Sequence, residues 1–212
     1  MKRIEYRDVC DKTKWPQGEW DDEPDKIQWL DEATGLPCLI VRGPVGALCG
    51  YVAVPTGHPL HGKGYNECLR DCNERWCGHS LESTVDVHGG LTFSGACTSH
   101  AKEDWEILRK KVIFRSSEAQ IYPEGDIARM LKERWPYDYE AWITKIREGG
   151  VCHVVEAGEP DDVWWFGFDC AHCDDFAPGA NWSLGEAHYR NVAYVTEECQ
   201  KLALQLQRTT EC

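Results

Sequence analysis

The most regular pattern of apolar and polar positions lies near the end of the chain. From His188 to Gln207, Val192, Val195, Cys199, Leu202 and Leu206 recur at steps of three and four, which is one face of an α-helix. Such a stripe must be buried against another layer. Shorter stripes of the same period predict a helix on Ile127, Met130, Leu131 and Trp135, ended by Pro136. Another lies on Tyr139, Trp142, Ile143 and Ile146, stopped by Gly149 and Gly150, and a weaker one begins near Ala101.

Elsewhere the pattern is that of strands. Residues 37–55, PCLIVRGPVGALCGYVAVP, are dense in branched apolar side chains and broken by Gly43-Pro44, which predicts a hairpin. Further strand-like runs lie at 91–94, 151–156 and 163–170, for five or six strands in one sheet. The acidic segment before the hairpin reads as peripheral, with a short helix in DEPDKIQWLDEATG ended by Gly35. Strands and helices in separate blocks predict an α+β fold, one mainly antiparallel sheet packed by helices with a long C-terminal helix. At 212 residues the simplest organisation is a single domain spanning 1–212, with a cysteine-rich insertion at 66–80.

Charge and composition narrow the function. The formal charge of -13 disfavours a nucleic-acid polymer as partner, because counterion release needs a basic stripe; a small anion can still bind locally. No run of apolar residues is long enough for a membrane span, and the amino terminus does not resemble an export signal, so a cytoplasmic protein is expected. The twelve cysteines are then expected as reduced thiols. Cys68, Cys72, Cys77 and His79 offer a donor set for zinc, and buried free thiols are the competing reading.

Three clusters of histidine and glycine carry the candidate chemistry. In GHPLHGKGY, at 57–65, His58, His61, Lys63 and Tyr65 lie in a glycine-rich loop suited to a phosphate or carboxylate. In DVHGGLTFSG, at 86–95, strand alternation would put Asp86 and His88 on one face, with Asp86 fixing the tautomer of His88, and Thr92 lies four residues on. Gly89 and Gly90 read either as N–H donors to an oxyanion or as an ordinary turn. In WWFGFDCAHCDD, at 164–175, Asp169 and His172 would meet if the chain turns there. Trp164 and Trp165 must point to opposite faces of their strand, so one at most lines a pocket. Cys170 and Cys173 form a single CxxC pair, read as packing rather than metal binding.

The stretches YVAVPTGHPLHGKGY, VDVHGGLTFSG, WWFGFDCAH and YRNVAYV together resemble a family of uncharacterised proteins encoded by bacteriophages and prophages, over about half the chain between Tyr51 and Leu202. The resemblance implies an accessory phage product acting inside a bacterial cell, with agents that counter host nucleotide signals as an analogy. Two roles compete. In one, the clusters wall a single pocket that sequesters a nucleotide-like anion, Trp164 or Trp165 stacking a base while His58, Lys63 and Arg190 hold phosphate. In the other, His88 oriented by Asp86 and His172 oriented by Asp169 act as base and acid in a phosphodiesterase-like hydrolase, or His88, Asp169 and His172 ligate zinc. A protein-interaction module, with oligomerisation, is the third reading.

Overall fold

The computed structural model describes residues 3–69, 78–96, 162–180 and 187–209. Six strands form one sheet: β1 (Ile4–Tyr6), β2 (Lys26–Leu30), β3 (Pro37–Arg42), β4 (Leu48–Pro55), β5 (Phe93–Ala96) and β6 (Val163–Asp169), in spatial order β1-β2-β3-β4-β6-β5. Every pairing is antiparallel. The described helices are a single turn, α1 (Leu81–Thr84), and the long α2 (Val192–Arg208), besides a 3-10 turn at Glu19–Asp21. This is the expected α+β architecture, and none of these helices is long and apolar enough to cross a membrane. The helix read from near Ala101, those read on Ile127 to Trp135 and on Tyr139 to Ile146, and the strand read at 151–156 lie outside the described residues.

Strand alternation decides what each face holds. Cys38 and Ile40 of β3, Leu48, Val52 and Val54 of β4, and Phe166 and Phe168 of β6 point to one face; Val195, Cys199, Leu202, Ala203 and Leu206 of α2 are buried with them in one core. Burying each of the larger side chains favours folding by roughly 1.5–3 kcal/mol. Close contact needs Gly50, where an added Cβ would lie 2.4 Å from the Phe168 ring and 2.8 Å from Cys199 Sγ. Leu39, Val41, Tyr51, Ala53, Val163 and Trp165 fill a second cluster on the opposite face. Trp164 packs against the first core, so the two tryptophans diverge as alternation requires.

The segment before the hairpin departs from expectation. DKIQWLDEATG forms no helix: Lys26–Leu30 is β2, held between β1 and β3. Tertiary pairing outweighs the weak helical pattern, because β3 pairs with all five residues of the run and β1 with the first three. Gly35, at φ +70°, ends a tight turn closed by its N–H to the Asp31 carbonyl, 2.8 Å, rather than a helix. Nor is the segment peripheral, since Trp20, Asp25, Lys26, Ile27, Gln28 and Trp29 are all buried.

Asp25 and Arg42 organise this region. Arg42 Nε donates to Asp25 Oδ1 at 3.0 Å with both side chains fully buried, and Lys12 Nζ reaches the same oxygen at 2.8 Å. The other carboxylate oxygen accepts the N–H groups of Val9 and Cys10, each at 2.9 Å. Arg42 also donates to the Tyr189 hydroxyl at 2.6 Å and to Glu23 Oε2 at 3.0 Å, while Glu23 Oε1 accepts the N–H of Val192 at 2.8 Å. The network therefore joins the N-terminal segment, β3 and the first turn of α2, where Glu23 satisfies an otherwise orphan helix donor and Asn191 caps another, the N–H of Tyr194.

Burial alone would raise the Asp25 carboxyl, but Lys12, the Cys10 N–H and Arg42 outweigh it and hold the pKa below the usual carboxylate value. The stability that follows is present above the unfolded-state pKa of about 3.9 and is lost as pH falls through the lower folded value. Arg42→Met, which leaves Asp25 buried beside only Lys12, is expected to cost about 3–5 kcal/mol at neutral pH, measured by urea unfolding. Asp25→Asn should also destabilise at neutral pH, and its unfolding free energy should fall less steeply below about pH 4 than that of the natural chain.

Candidate functional site

The histidine clusters do not share one recess. β4 and β6 pair antiparallel with Pro55 opposite Val163 and Cys49 opposite Asp169, so the loop leaving β4 and the loop leaving β6 lie at opposite ends of the sheet, about 20 Å apart. The first cluster stays at the Pro55 end. His58 Nδ1 accepts the N–H of Leu60 at 3.2 Å, and burial lowers the imidazole pKa while the Leu206 carbonyl near the end of α2 opposes the shift. His61 Nε2 is 3.6 Å from Asp162, and Lys63 pairs with Glu67 on the surface. Tyr65 is half-buried against the core and receives a hydrogen bond from the Glu82 N–H through its carbonyl. Trp164 belongs here too, its indole N–H donating to the Lys63 carbonyl at 2.8 Å.

A cavity of about 690 Å³ opens at this same end, between Leu60, Lys63, His79, Thr84 and Arg208. Tyr194 and Arg208 are fourteen residues apart on α2, or about 21 Å, so this cavity is remote from the second and third clusters. Trp165 cannot stack a ligand: it has no exposed surface and fills the core of the far sheet face. Of the four cysteine-cluster donors, Cys68 and His79 sit on adjacent arms joined by the Cys68–Ser80 bridge, while Cys72 and Cys77 fall outside the described residues.

The second and third clusters do meet. β5 enters the sheet with Phe93 opposite Gly167, so residues 88–92 arrive at the end of β6 from which His172 departs. His88 and His172 have ring centroids 5.5 Å apart. Between them is Asp175, buried, which neither Asp86 nor Asp169 replaces. His88 Nε2 is hydrogen-bonded to Asp175 Oδ2 at 2.8 Å; the N–H of His172 donates to that oxygen at 3.0 Å; and Arg190 Nε donates to Oδ1 at 2.8 Å. His172 Nδ1 lies 3.4 Å from Oδ2, yet among the described residues it is buried without a hydrogen-bond partner. Burial pushes the Asp175 carboxyl up, but the bonds from Arg190, His88 and the His172 N–H prevail and keep its pKa low. A carboxylate that favours its ionised form is thus held between one guanidinium and two histidines.

The other side of His88 belongs to α2. Its Nδ1 is hydrogen-bonded to the Tyr194 hydroxyl at 2.9 Å, and its backbone N–H donates to Glu198 Oε2 at 2.8 Å. Arg190 stacks over the Tyr194 ring at 4.9 Å. Burial first, and then Glu198, raise the Tyr194 pKa, so the phenol stays protonated. Asp86 is exposed and takes part through its backbone only, bonded at both N–H and carbonyl to Gln205. It does not orient His88 because residues 85–88 form a loop, not the strand that alternation assumed. Asp169 turns to the Ala171 N–H at 3.1 Å, capping the turn instead of meeting His172. Thr92 is exposed, its N–H on the Gly167 carbonyl. Cys170 is buried, which raises its pKa, and Cys173 is exposed; among the described residues neither belongs to a group of donors spaced for a metal ion.

Asp175, Tyr194 and Glu198 complete the centre and were not singled out by motif. A signal existed for Glu198 alone: it is a carboxylate within the apolar face formed by Val195, Cys199 and Leu202, and a charge so placed demands a partner. Asp175 sits in a run of two aspartates, where nothing in the sequence distinguishes the buried one from the exposed Asp174.

Gly89 makes the approach of the two imidazoles possible. It adopts φ +65°, and a Cβ there would fall 2.0 Å from the His172 ring. Gly90, at φ +83°, has open space around the same position. Both Gly89→Ala and Gly90→Ala should therefore incur a backbone cost of about 1–2 kcal/mol in thermal unfolding. Only Gly89→Ala should shift the His172 ring resonances in a proton–carbon NMR spectrum.

No protein-family model, curated protein or solved structure matches this chain.

Proposed function

We propose that the protein binds a small, anionic, nucleotide-like phosphoester at the His88–His172–Asp175 centre and hydrolyses it. The observation that carries this reading is the sharing of one buried carboxylate by two imidazoles and a guanidinium, with a phenol hydrogen-bonded to one of the rings. Among the described residues Arg190 spends only Nε on the protein, which leaves its terminal NH groups for phosphate oxygens. The His172 ring is partly exposed beside it. Both ring nitrogens of His88 have protein partners, Tyr194 and Asp175, which fix the orientation of its ring at the centre.

In this scheme water, activated at the imidazole–carboxylate cluster, attacks phosphorus and surrenders a proton to the cluster. One P–O ester bond breaks, and the Tyr194 hydroxyl, backed by His88 and Asp175, protonates the departing oxygen. Simple sequestration is the weaker reading, because it asked for a stacking tryptophan and Lys63 beside Arg190, and those groups are about 20 Å away along the sheet and helix. The phage accessory role implied by the motif resemblance accords with an activity that depletes a signalling nucleotide.

The test is to incubate the full chain with a panel of cyclic and linear nucleotides, denature it by heat and chromatograph the supernatant. Altered ligand is expected; ligand released intact would replace hydrolysis by sequestration. His172→Ala should reduce kcat by at least a hundredfold. Tyr194→Phe, which removes a single proton donor, should reduce kcat by about 10²–10⁴ with little change in KM.

A further inference from the structure

Three donor atoms in this centre have the spacing of ligands around one ion. His88, His172 and Asp175 each offer one ligand atom, a ring nitrogen or a carboxylate oxygen, and these three atoms lie within 4.8 Å of one another. For metal–ligand bonds of about 2.0–2.1 Å, neighbouring donors at octahedral or tetrahedral angles are separated by about 2.9–3.4 Å. The corresponding distances here are 2.8 Å from His88 Nε2 to Asp175 Oδ2 and 3.4 Å from His172 Nδ1 to the same oxygen.

The surroundings favour an ion as well. His172 Nδ1 is buried, faces the carboxylate and lacks a hydrogen-bond partner among the described residues, a loss that coordination would make good. The groups that would orient the ligands from outside are already in place: Arg190 on Asp175 Oδ1, and the Tyr194 hydroxyl on His88 Nδ1. To accept an ion at Nε2, His88 needs only to carry its proton on Nδ1 and donate it to the Tyr194 oxygen.

We infer that His88, His172 and Asp175 bind one divalent transition-metal ion of the zinc class, with at least one coordination position left open. Two imidazoles and a carboxylate suit such ions better than calcium or magnesium, which prefer oxygen donors. The set carries one negative charge, so the loaded centre is cationic with Arg190 beside it and attracts an anionic ligand in a protein whose net charge is -13. The inference rests on reading this centre as the hydrolytic one and specifies how its water is activated: the ion lowers the pKa of a bound water.

The experiment is to strip the full chain with a chelator, titrate it with cobalt(II) and zinc(II) separately, and record heats and the cobalt spectrum. One equivalent should bind, with visible cobalt bands and without the thiolate-to-cobalt charge transfer that cysteine ligation produces. His172→Ala and His88→Ala should each weaken binding at least tenfold, while Asp169→Asn should leave it unchanged. His172→Ala alters a partly exposed ring, so a retained far-UV spectrum in that variant guards against misfolding as the cause.

Absence of cobalt binding in the natural chain, or a cobalt spectrum indifferent to His88→Ala and His172→Ala, would overturn the inference. Nucleotide hydrolysis by the stripped, metal-free chain would do so too while leaving the hydrolase reading intact. Stoichiometric metal binding with no turnover of any nucleotide in the panel would support the metal centre and remove the assigned reaction.

Discussion

A guanidinium without solvent fixes where the working end of this molecule lies. Arg42 is fully buried, and a buried charge is tolerated only with complete compensation, which Asp25, Glu23 and the Tyr189 hydroxyl provide. Because Glu23 also takes the first N–H of α2, the position of that helix along the sheet is tied to the ion network as well as to its apolar face. Two residues later the helix delivers Tyr194 to His88, and a turn beyond that, Glu198 to the His88 backbone. Apolar packing alone specifies direction and depth poorly; the polar contacts set the axial register on which the centre depends.

What could be read from the sequence followed from local periodicity. The 37–55 hairpin, the final helix and the divergence of Trp164 from Trp165 are consequences of periods of two and 3.6 residues, and all appear as expected. The meeting of His88 with His172 also follows, since both flank strands that pair with each other. The placing of His58 did not follow from motif composition, although the strand arithmetic was within reach: loops that leave two antiparallel neighbours in the forward direction cannot end on the same side.

Choosing the right carboxylate was beyond local reasoning. Asp86 and Asp169 stood at favourable offsets from the histidines, whereas Asp175 is selected by a turn in which the His172 N–H reaches forward to its oxygen and by the parallel bridge to His188, which brings Arg190 alongside. The misassigned strand β2 has a similar cause. Its identity depends on β1 and β3 being present on either side, and an isolated window contains neither.

The centre draws its groups from positions 88, 172, 175, 190, 194 and 198, so it spans more than a hundred residues of chain and its last members come from α2. A nascent chain emerging from the ribosome can complete β3 and β4 early, but the cluster stays unassembled until α2 docks. Termination anywhere before that helix therefore leaves His88 without its Tyr194 and Glu198 contacts, however much of the sheet is retained.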